Sequence, residues 1–482
     1  MFKILNTGKI FWLFVAFLFI VLIVVGLVQK GMFLDGVTYS AISNNMANGM
    51  GTFFKPHYSQ TWYNEFYMQP PLVFWLQSFL FKVIGEGFLV ERIYSFLMAI
   101  FTIYGIVLNW RLVSNKLNFN QLSWIPVMLW VITPIIFWSY RNNMLENTLS
   151  VFSLWSVYYL LKGLLNNKVK YLFLGSIFIL GCFLTKGLVG LFPFSVVFIY
   201  YISFRTISFT KTILYSFLVL LFPVMLYTLL IFLNKGFLNN LNAYIENQLV
   251  PSLNSEREVT TGNRFTIIFR LVMELSVPIL ICIAVYVRNR LKKQSCSSNH
   301  IKRSLFFIFI GLSASLPLMI TFQQRAYYLV MSLCFYIIGI SIYVAPNVSD
   351  LVQKISQRAR SVMLVISIFL ITGSLILVAF KYGDYSRDRK RLEDIDVLSL
   401  YLKNEDIISC SKTLYEDWAL IAYMSRNAHL SLDENLRKYH LIKKSENLDN
   451  EMLKDYHLVD IDLQEYKLYQ KKINTGIASE SK

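Results

Sequence analysis

FLDGVTYSAISNNMANGMGTFFKPHYSQTWYNEFYMQPPLVFW, residues 33–75, is the stretch on which the reading of this chain turns. It sits between a first apolar run and a long series of others. Its opening, DGVTYSAISNNMANG, predicts a short helix with marked ends. Asp35 is placed to cap the start, where a carboxylate accepts free backbone N–H groups, and Asn48-Gly49 to close the end in a left-handed turn. Tyr39, Ile42 and Met46 then share the face of Asp35. The carboxylate would stand where a membrane begins, either as a plain helix cap or as a reactive group.

The membrane follows from composition. The chain has 482 residues, of which 55% are hydrophobic and only 16% charged. A soluble domain has a charged share nearer a quarter, so an ordinary soluble enzyme is excluded. Repeated apolar runs of about 18–22 residues are each long enough to cross a hydrocarbon core of roughly 30 Å. The first run, Ile10–Val28, follows Lys3 and Lys9 but has no small-residue cleavage site after it, and reads as a retained span.

The net charge of +17 would suggest nucleic acid in a soluble protein; here its distribution speaks for membrane topology, and no nucleic-acid partner is expected. Cys182, Cys282 and Cys334 lie in apolar runs, Cys296 in a basic loop and Cys410 in the tail. Without a CxxC or Cys/His cluster, neither a disulfide framework nor a zinc site is expected. No cofactor is called for; a divalent cation is compatible with the sequence but not indicated by it.

Candidate spans cover 10–28, 88–109, 121–139, 148–163, 170–185, 188–204, 212–233, 266–287, 304–322, 326–344 and 361–380. The run Pro71–Ile84 is ambiguous, and charge bias decides it. If it does not cross, the cluster Arg288, Arg290, Lys292, Lys293, Lys302 and Arg303 faces the cytoplasm, as basic loops do. If it crosses, that cluster faces outward. The expectation is therefore eleven spans, with Pro71–Ile84 lying in the interface and 381–482 outside. This places Asp35, Glu65, Arg141, Glu146, Lys186, Arg257, Arg264 and Arg325 on one side of the membrane. The expected fold class is an all-α polytopic membrane protein with a small C-terminal α/β domain. Its membrane part is 1–380, with outer loops at 29–87 and 234–265. In 381–482, DIISCS, HLSL, YHLI and YHLVDIDLQEYKLYQKK read as strand-like runs. His429, His440 and His457 there are expected to be exposed and structural.

Several constellations could carry chemistry. YRNNMLENTLSVF (140–152) holds Arg141 and Glu146, with Asn142 and Glu146 spaced to share a helical face; a polar loop closed by an Arg–Glu pair explains it equally. Lys186, in FLTKGLVGLFPF (183–194), either snorkels to the headgroups or binds a lipid phosphate as a point charge. The loop 244–270 offers Arg257 and Arg264 as planar donor forks for phosphate, and TFQQRAYYLV adds Arg325. A carboxylate deprotonating an acceptor hydroxyl, with cations stabilising a departing phosphate, is the chemistry such a face could perform.

The order of these motifs resembles a known family. An Asp-led helix ending in MANG is followed by PPLVFWLQSFLFKVIG and ERIYSFLMAIFTIYG, then RNNMLENTLSVF, LTKG and QRAYYLV. Over roughly 30–330 this is similar to the bacterial family 39 branch of the GT-C glycosyltransferases, which includes protein O-mannosyltransferases and the lipid A aminoarabinose transferase. The resemblance implies a GT-C fold with interfacial helices in the first outer loop. It also implies transfer of a sugar from a polyprenyl-phosphate donor to a lipid, glycan or protein acceptor, on the outer face of the cytoplasmic membrane. By the same resemblance Asp35 matches the general base, and Glu146 stands where relatives often carry Asp. Gln69 stands where relatives often carry a phosphate-binding Lys, which moves weight onto Lys186, Arg264 and Lys55; His57 and Glu65 are second-rank candidates. The alternative is a polytopic transporter or polymerase of envelope lipids or glycans. A transporter should carry charges near the midplane of its spans, whereas the charges noted here, Arg92 and Arg270, sit near span ends.

Overall fold

The computed structural model describes residues 7–114, 119–254, 256, 258–293, 297–403, 405–447 and 450–472. Arg257 and Cys296 lie outside them. The chain divides into two compact units: Met1–Gln29, Tyr67–Val73 and Gly87–Asp384 form the first, and Lys30–Phe66, Phe74–Glu86 and Tyr385–Lys482 the second.

The first unit is a multi-pass helical bundle. Among the described residues, eight of its helices are long and apolar enough to cross a membrane, or up to ten if each of two bent pairs counts as one span. The difference of one from the expected eleven lies in Val169–Phe204, a single helical element by length and composition. Its two arms are not collinear. A Cβ on Gly190 would run into the Cys182 carbonyl, although residues eight apart in a continuous helix stand about 12 Å apart along its axis. The chain reverses at Gly187, whose φ of +61° an L side chain rarely adopts. The arms Val169–Lys186 and Gly187–Phe204 thus correspond to the two expected segments.

Burial orders the bundle from centre to lipid. In the most apolar 18-residue stretch of Ala326–Gln353, 89% of the residues are buried; Ser332 there donates to the Leu329 carbonyl at 2.8 Å, and the Gly339 carbonyl accepts from Ser304 of the neighbouring helix Ser298–Ile320 at 2.8 Å. Small polar residues let apolar helices approach closely where lipid supplies no hydrophobic drive. In the most apolar stretches of Phe209–Leu233 and Gln357–Lys381 only 11% of the residues are buried, although these are among the most apolar helices, so most of their side chains face hydrocarbon.

The two bent pairs break for identifiable reasons. Asn120–Ile132 and Pro134–Arg141 meet at 70°, where Pro134 brings no N–H to continue the first helix. Thr266–Glu274 and Ser276–Leu291 meet at 67°. Glu274, at this second break, accepts a hydrogen bond from the Ile135 N–H at 2.9 Å, satisfying a backbone donor freed by the first. The run expected to stay out of the hydrocarbon core is the helix Leu72–Ile84. Its 13 residues reach about 20 Å, short of the roughly 30 Å needed to span.

The second unit contains a five-stranded mixed sheet: β1 (Ile407–Cys410), β2 (Ser431–Asp433), β3 (Tyr439–Lys443), β4 (Tyr456–Leu458) and β5 (Tyr466–Lys471), in the order β2-β1-β3-β5-β4. β1 runs parallel to β2 and β3, while β5 runs antiparallel to β3 and β4. These are the four strand-like runs of the tail. The helix Arg389–Tyr401 is fixed by Asp394, whose carboxylate accepts the N–H groups of Gln464 and Glu465 at 2.6 and 2.7 Å.

The compact units divide at 384/385, beside the 380/381 expected from composition, and the tail shares its unit with earlier segments. Helix Leu34–Ala47 and the segments 53–66 and 74–86 belong with it. Arg426 donates to Ser40 Oγ at 3.0 Å, and Asn45 Nδ2 to Ser425 Oγ and the Tyr58 carbonyl, both at 3.0 Å. Ser40, Asn44 and Asn45 are buried although their residue types suggest exposure. Polar groups removed from water require partners, and for Ser40 and Asn45 the tail supplies Arg426 and Ser425. Among the histidines, His440 departs from the exposed role expected. It is 5% exposed, on β3, with Nδ1 2.9 Å from Ser409 Oγ.

Candidate functional site

Within the first unit, the residues singled out around 146, 186 and 328 come together. Glu146 lies in the first turn of the helix Leu145–Asn166 and is 1% exposed. Lys186 ends the arm Val169–Lys186, where the chain must turn back, and its ammonium forms an ion pair with Glu146 Oε1. The same ammonium sits 4.3 Å from the ring centroid of Tyr328. Gly187 holds this arrangement from behind, since a Cβ there would meet the Tyr244 hydroxyl. Lys186 is fixed by a carboxylate, an aromatic face and a turn that excludes a side chain.

Lys186 also lines a cavity of about 290 Å³. Leu188, Phe192, Leu249 and Leu318 give it apolar walls, and Gln69, Gln323 and Tyr328 add polar groups. Gln69, at the position where the resembled family often has Lys, is thus near the cation but brings no charge. An apolar cleft with one held cation can seat an anionic group carried on a hydrocarbon chain.

The arginines are engaged elsewhere. Arg141 Nε donates to the Leu22 carbonyl at 3.1 Å, its side chain occupies the space a Cβ on Gly26 would need, and its own carbonyl accepts from Arg92. It ties helices together, and the Arg–Glu pair open to the sequence is replaced by Lys186–Glu146. The chain also leaves helical geometry between Asn142 and Met144, so Asn142 and Glu146 do not share a helical face. Arg325 pairs with Glu258 at 2.7 Å. Arg264 is exposed, with its guanidinium 4.9 Å from the Phe322 ring centroid, and is not among the cavity's lining residues.

In the second unit, helix Leu34–Ala47 begins two residues earlier than the spacing suggested. Phe33 is the N-cap and offers no side-chain hydrogen bond, while Asp35 is the second helical residue. A carboxylate in the first turn still interacts favourably with the helix dipole, by about 0.3–1 kcal/mol. The predicted end is as expected: Gly49 has a φ of +83°, the Gly49 N–H reaches the Met46 carbonyl and the Met50 N–H the Asn45 carbonyl, a Schellman closure. One turn after Asp35, Tyr39 is buried with its ring 5.8 Å from that of Phe74. Lys55 pairs with Glu65 at 2.7 Å on the surface. His57 is held below the usual imidazole value by burial; Glu65 pulls it up and Lys55 down.

Sequence reasoning missed Glu274, an acidic residue inside the apolar run RLVMELSVPILI. Its signal was available in that composition, but the break that gives it a partner was not. Among the described residues no group of three His, Cys, Asp or Glu side chains could hold a metal ion.

Comparison with known proteins agrees with this architecture. Residues 68–232 match the family model described as dolichyl-phosphate-mannose-protein mannosyltransferase. No curated protein sequence matches the chain. The structure is similar to that of ArnT from Cupriavidus metallidurans bound to undecaprenyl phosphate, at 14% identity and a TM-score of 0.68, covering 98% of this chain and 99% of ArnT. The same protein in its apo state gives a TM-score of 0.64. The archaeal oligosaccharyltransferase AglB from Archaeoglobus fulgidus, in complex with an inhibitory peptide and a dolichol-phosphate, matches at 12% identity and a TM-score of 0.51, covering 85% of this chain and 65% of AglB. The chain therefore has the fold of the GT-C glycosyltransferases, shared with ArnT along almost its whole length.

Proposed function

We propose that this protein transfers a sugar from a polyprenyl-phosphate donor to a lipid, glycan or protein acceptor on the outer face of the cytoplasmic membrane. The observation that carries the reading is the apolar cavity with Lys186 fixed at its wall. A polyprenyl phosphate has the matching form, one anionic head on a long apolar chain. The similarity to ArnT bound to undecaprenyl phosphate, and to AglB with a dolichol-phosphate, supports the donor class. In the reaction the acceptor hydroxyl oxygen attacks the anomeric carbon, and the bond from that carbon to the phosphate oxygen breaks. The acceptor proton passes to Asp35 as general base, and the charge left on the phosphate is offset by Lys186. Glu146 holds Lys186 in place rather than taking the proton, because its carboxylate is buried against that ammonium.

A second reading, a polytopic transporter or polymerase of envelope lipids or glycans, draws on Glu274. A carboxylate at the joint of two broken helices in an apolar bundle is a feature of substrate pathways. The test is transfer itself. Purified protein in lipid is given labelled polyprenyl-phosphate sugars, and envelope glycolipids and glycoproteins of cells with and without the chain are compared by mass spectrometry. A missing sugar modification in the deletion, restored by the wild type but not by Asp35→Asn, is the expected result. Identical envelope sugars in both strains, with lipid or glycan accumulating on one side of the membrane, would favour the transporter.

A further inference from the structure

A second concave surface of the bundle is independent of the Lys186 cavity. It is a groove of about 540 Å³ between the helices Ser276–Leu291, Ser298–Ile320 and Ala326–Gln353, with walls that include Leu275, Ile279, Ile283, Leu312, Ile340 and Tyr343. From Leu275 to Tyr286 it follows about 16 Å of helix. That is close to half of the roughly 30 Å hydrocarbon core, the depth of one leaflet.

One end of this groove is strongly basic. Tyr286 lines it, and the Arg290 guanidinium Nε donates to the Tyr286 hydroxyl at 3.1 Å. Arg288, two residues after Tyr286, reaches the Asn347 carbonyl at 3.4 Å; Lys292 and Lys293 continue the chain, and Arg290, Lys292 and Lys293 are exposed. Among the described residues no carboxylate forms an ion pair with any of the four. The carboxylate on the facing helix is Asp350, exposed and one turn beyond Asn347. On the helix Ala326–Gln353, Tyr328 lines the Lys186 cavity, Tyr336 to Tyr343 line the groove, and Asn347 meets Arg288. Tyr328 and Asn347 are separated by about 28 Å of helix, nearly a bilayer core.

We propose that this groove is a binding site for an anionic diacyl phospholipid. One acyl chain lies along Leu275–Tyr286, and the headgroup phosphate meets Arg290 and Lys292. The leaflet-length groove fits one acyl chain, and the basic end fits the phosphate that would stand above it. The polyprenyl donor is not the occupant, because the basic end lies a membrane's thickness from the cation that would hold a donor phosphate. The inference does not rest on the transferase reading.

The full chain, purified in detergent, is titrated with phosphatidylglycerol, phosphatidylcholine and undecaprenyl phosphate and followed by native mass spectrometry. One equivalent of phosphatidylglycerol is expected to bind about thirtyfold more tightly than phosphatidylcholine, from two cationic contacts. Arg290→Ala/Lys292→Ala, which alters only exposed side chains, should bring the two lipids level. Ile279→Trp, which fills the groove and leaves the charges, should lose the bound phosphatidylglycerol. Equal affinity for the two phospholipids in the wild type, or a preference that survives the double substitution, would overturn the site. Displacement of phosphatidylglycerol by undecaprenyl phosphate, one for one, would overturn it as well and give the groove to the donor.

Discussion

Removing Lys186 should do more than weaken donor binding, because it strands a buried charge. Glu146 is 1% exposed and pairs with the Lys186 ammonium, whereas the Lys186 side chain keeps 13% of its surface and borders the cavity. Lys186→Met leaves an uncompensated carboxylate among apolar helices, and breaking a buried pair from one side costs about 3–5 kcal/mol. Glu146→Gln leaves the cation instead, and the cation still has the Tyr328 ring and an opening to the cavity, so its loss should be the smaller of the two. The double variant Lys186→Met/Glu146→Gln removes both charges and should recover most of the stability lost by Lys186→Met. Its donor affinity should not recover. Loss of a charge-assisted phosphate contact amounts to about 1.5–3 kcal/mol, roughly ten- to a hundredfold in the dissociation constant. Thermal unfolding in detergent, with and without undecaprenyl phosphate, separates the two effects. If Lys186→Met is as stable as the wild type, the pair does not compensate a buried charge. If the double variant binds undecaprenyl phosphate normally, Lys186 is no phosphate ligand and the proposed donor site loses its cation.

Three further outcomes follow. Asp35→Asn keeps size but takes no proton at neutral pH, so transfer should nearly vanish while stability falls by no more than about 0.3–1 kcal/mol; substantial transfer would remove Asp35 as base. Gly187→Ala places a side chain at a φ of +61° and against the Tyr244 hydroxyl, so it should cost about 1–3 kcal/mol and displace Lys186; a variant with normal stability and donor binding would show that the turn does not fix the cation. His440 is held below the usual imidazole value by burial, with Glu446 pulling it up. The unfolded chain therefore takes up a proton there at a higher pH than the folded one, and stability should fall as pH drops below about 6.5 and through the folded value. His57, also held low, contributes in the same direction. Melts of the full chain followed by tryptophan fluorescence should show this slope, and His440→Gln should flatten it; an unchanged slope would refute the assignment.

What the sequence could convey follows from how far each signal reaches. Apolar run length and basic loops act over one element at a time, so the segments, the short helix Leu72–Ile84 and the four strand-like runs were legible. The C-terminal stop of the helix Leu34–Ala47 was legible because Gly49 alone determines it. The start was misread by two positions, since a helix beginning at Leu34 with Phe33 as an unassisted cap leaves no local mark. Lys186 and Glu146 were each identified, but 40 positions separate them, and their pairing required the reversal at Gly187 that brings one arm back on the other. The same limit explains why Arg141 looked available for a phosphate: its partner, the Leu22 carbonyl, is a backbone atom 119 positions away that no residue type could announce. Nor could the tail be seen to need Ser40 and Asn45, which read as solvent-facing polar residues until Arg426 and Ser425 are placed beside them. In this bundle, then, the residues that bear charge are local facts of the sequence, whereas their neutralisation depends on contacts distant along it. A charge already neutralised by a buried partner or a backbone carbonyl is a poor guide to a ligand site. Lys186 differs from the arginines in this respect, because its partner is buried behind it while the ammonium still borders the cavity.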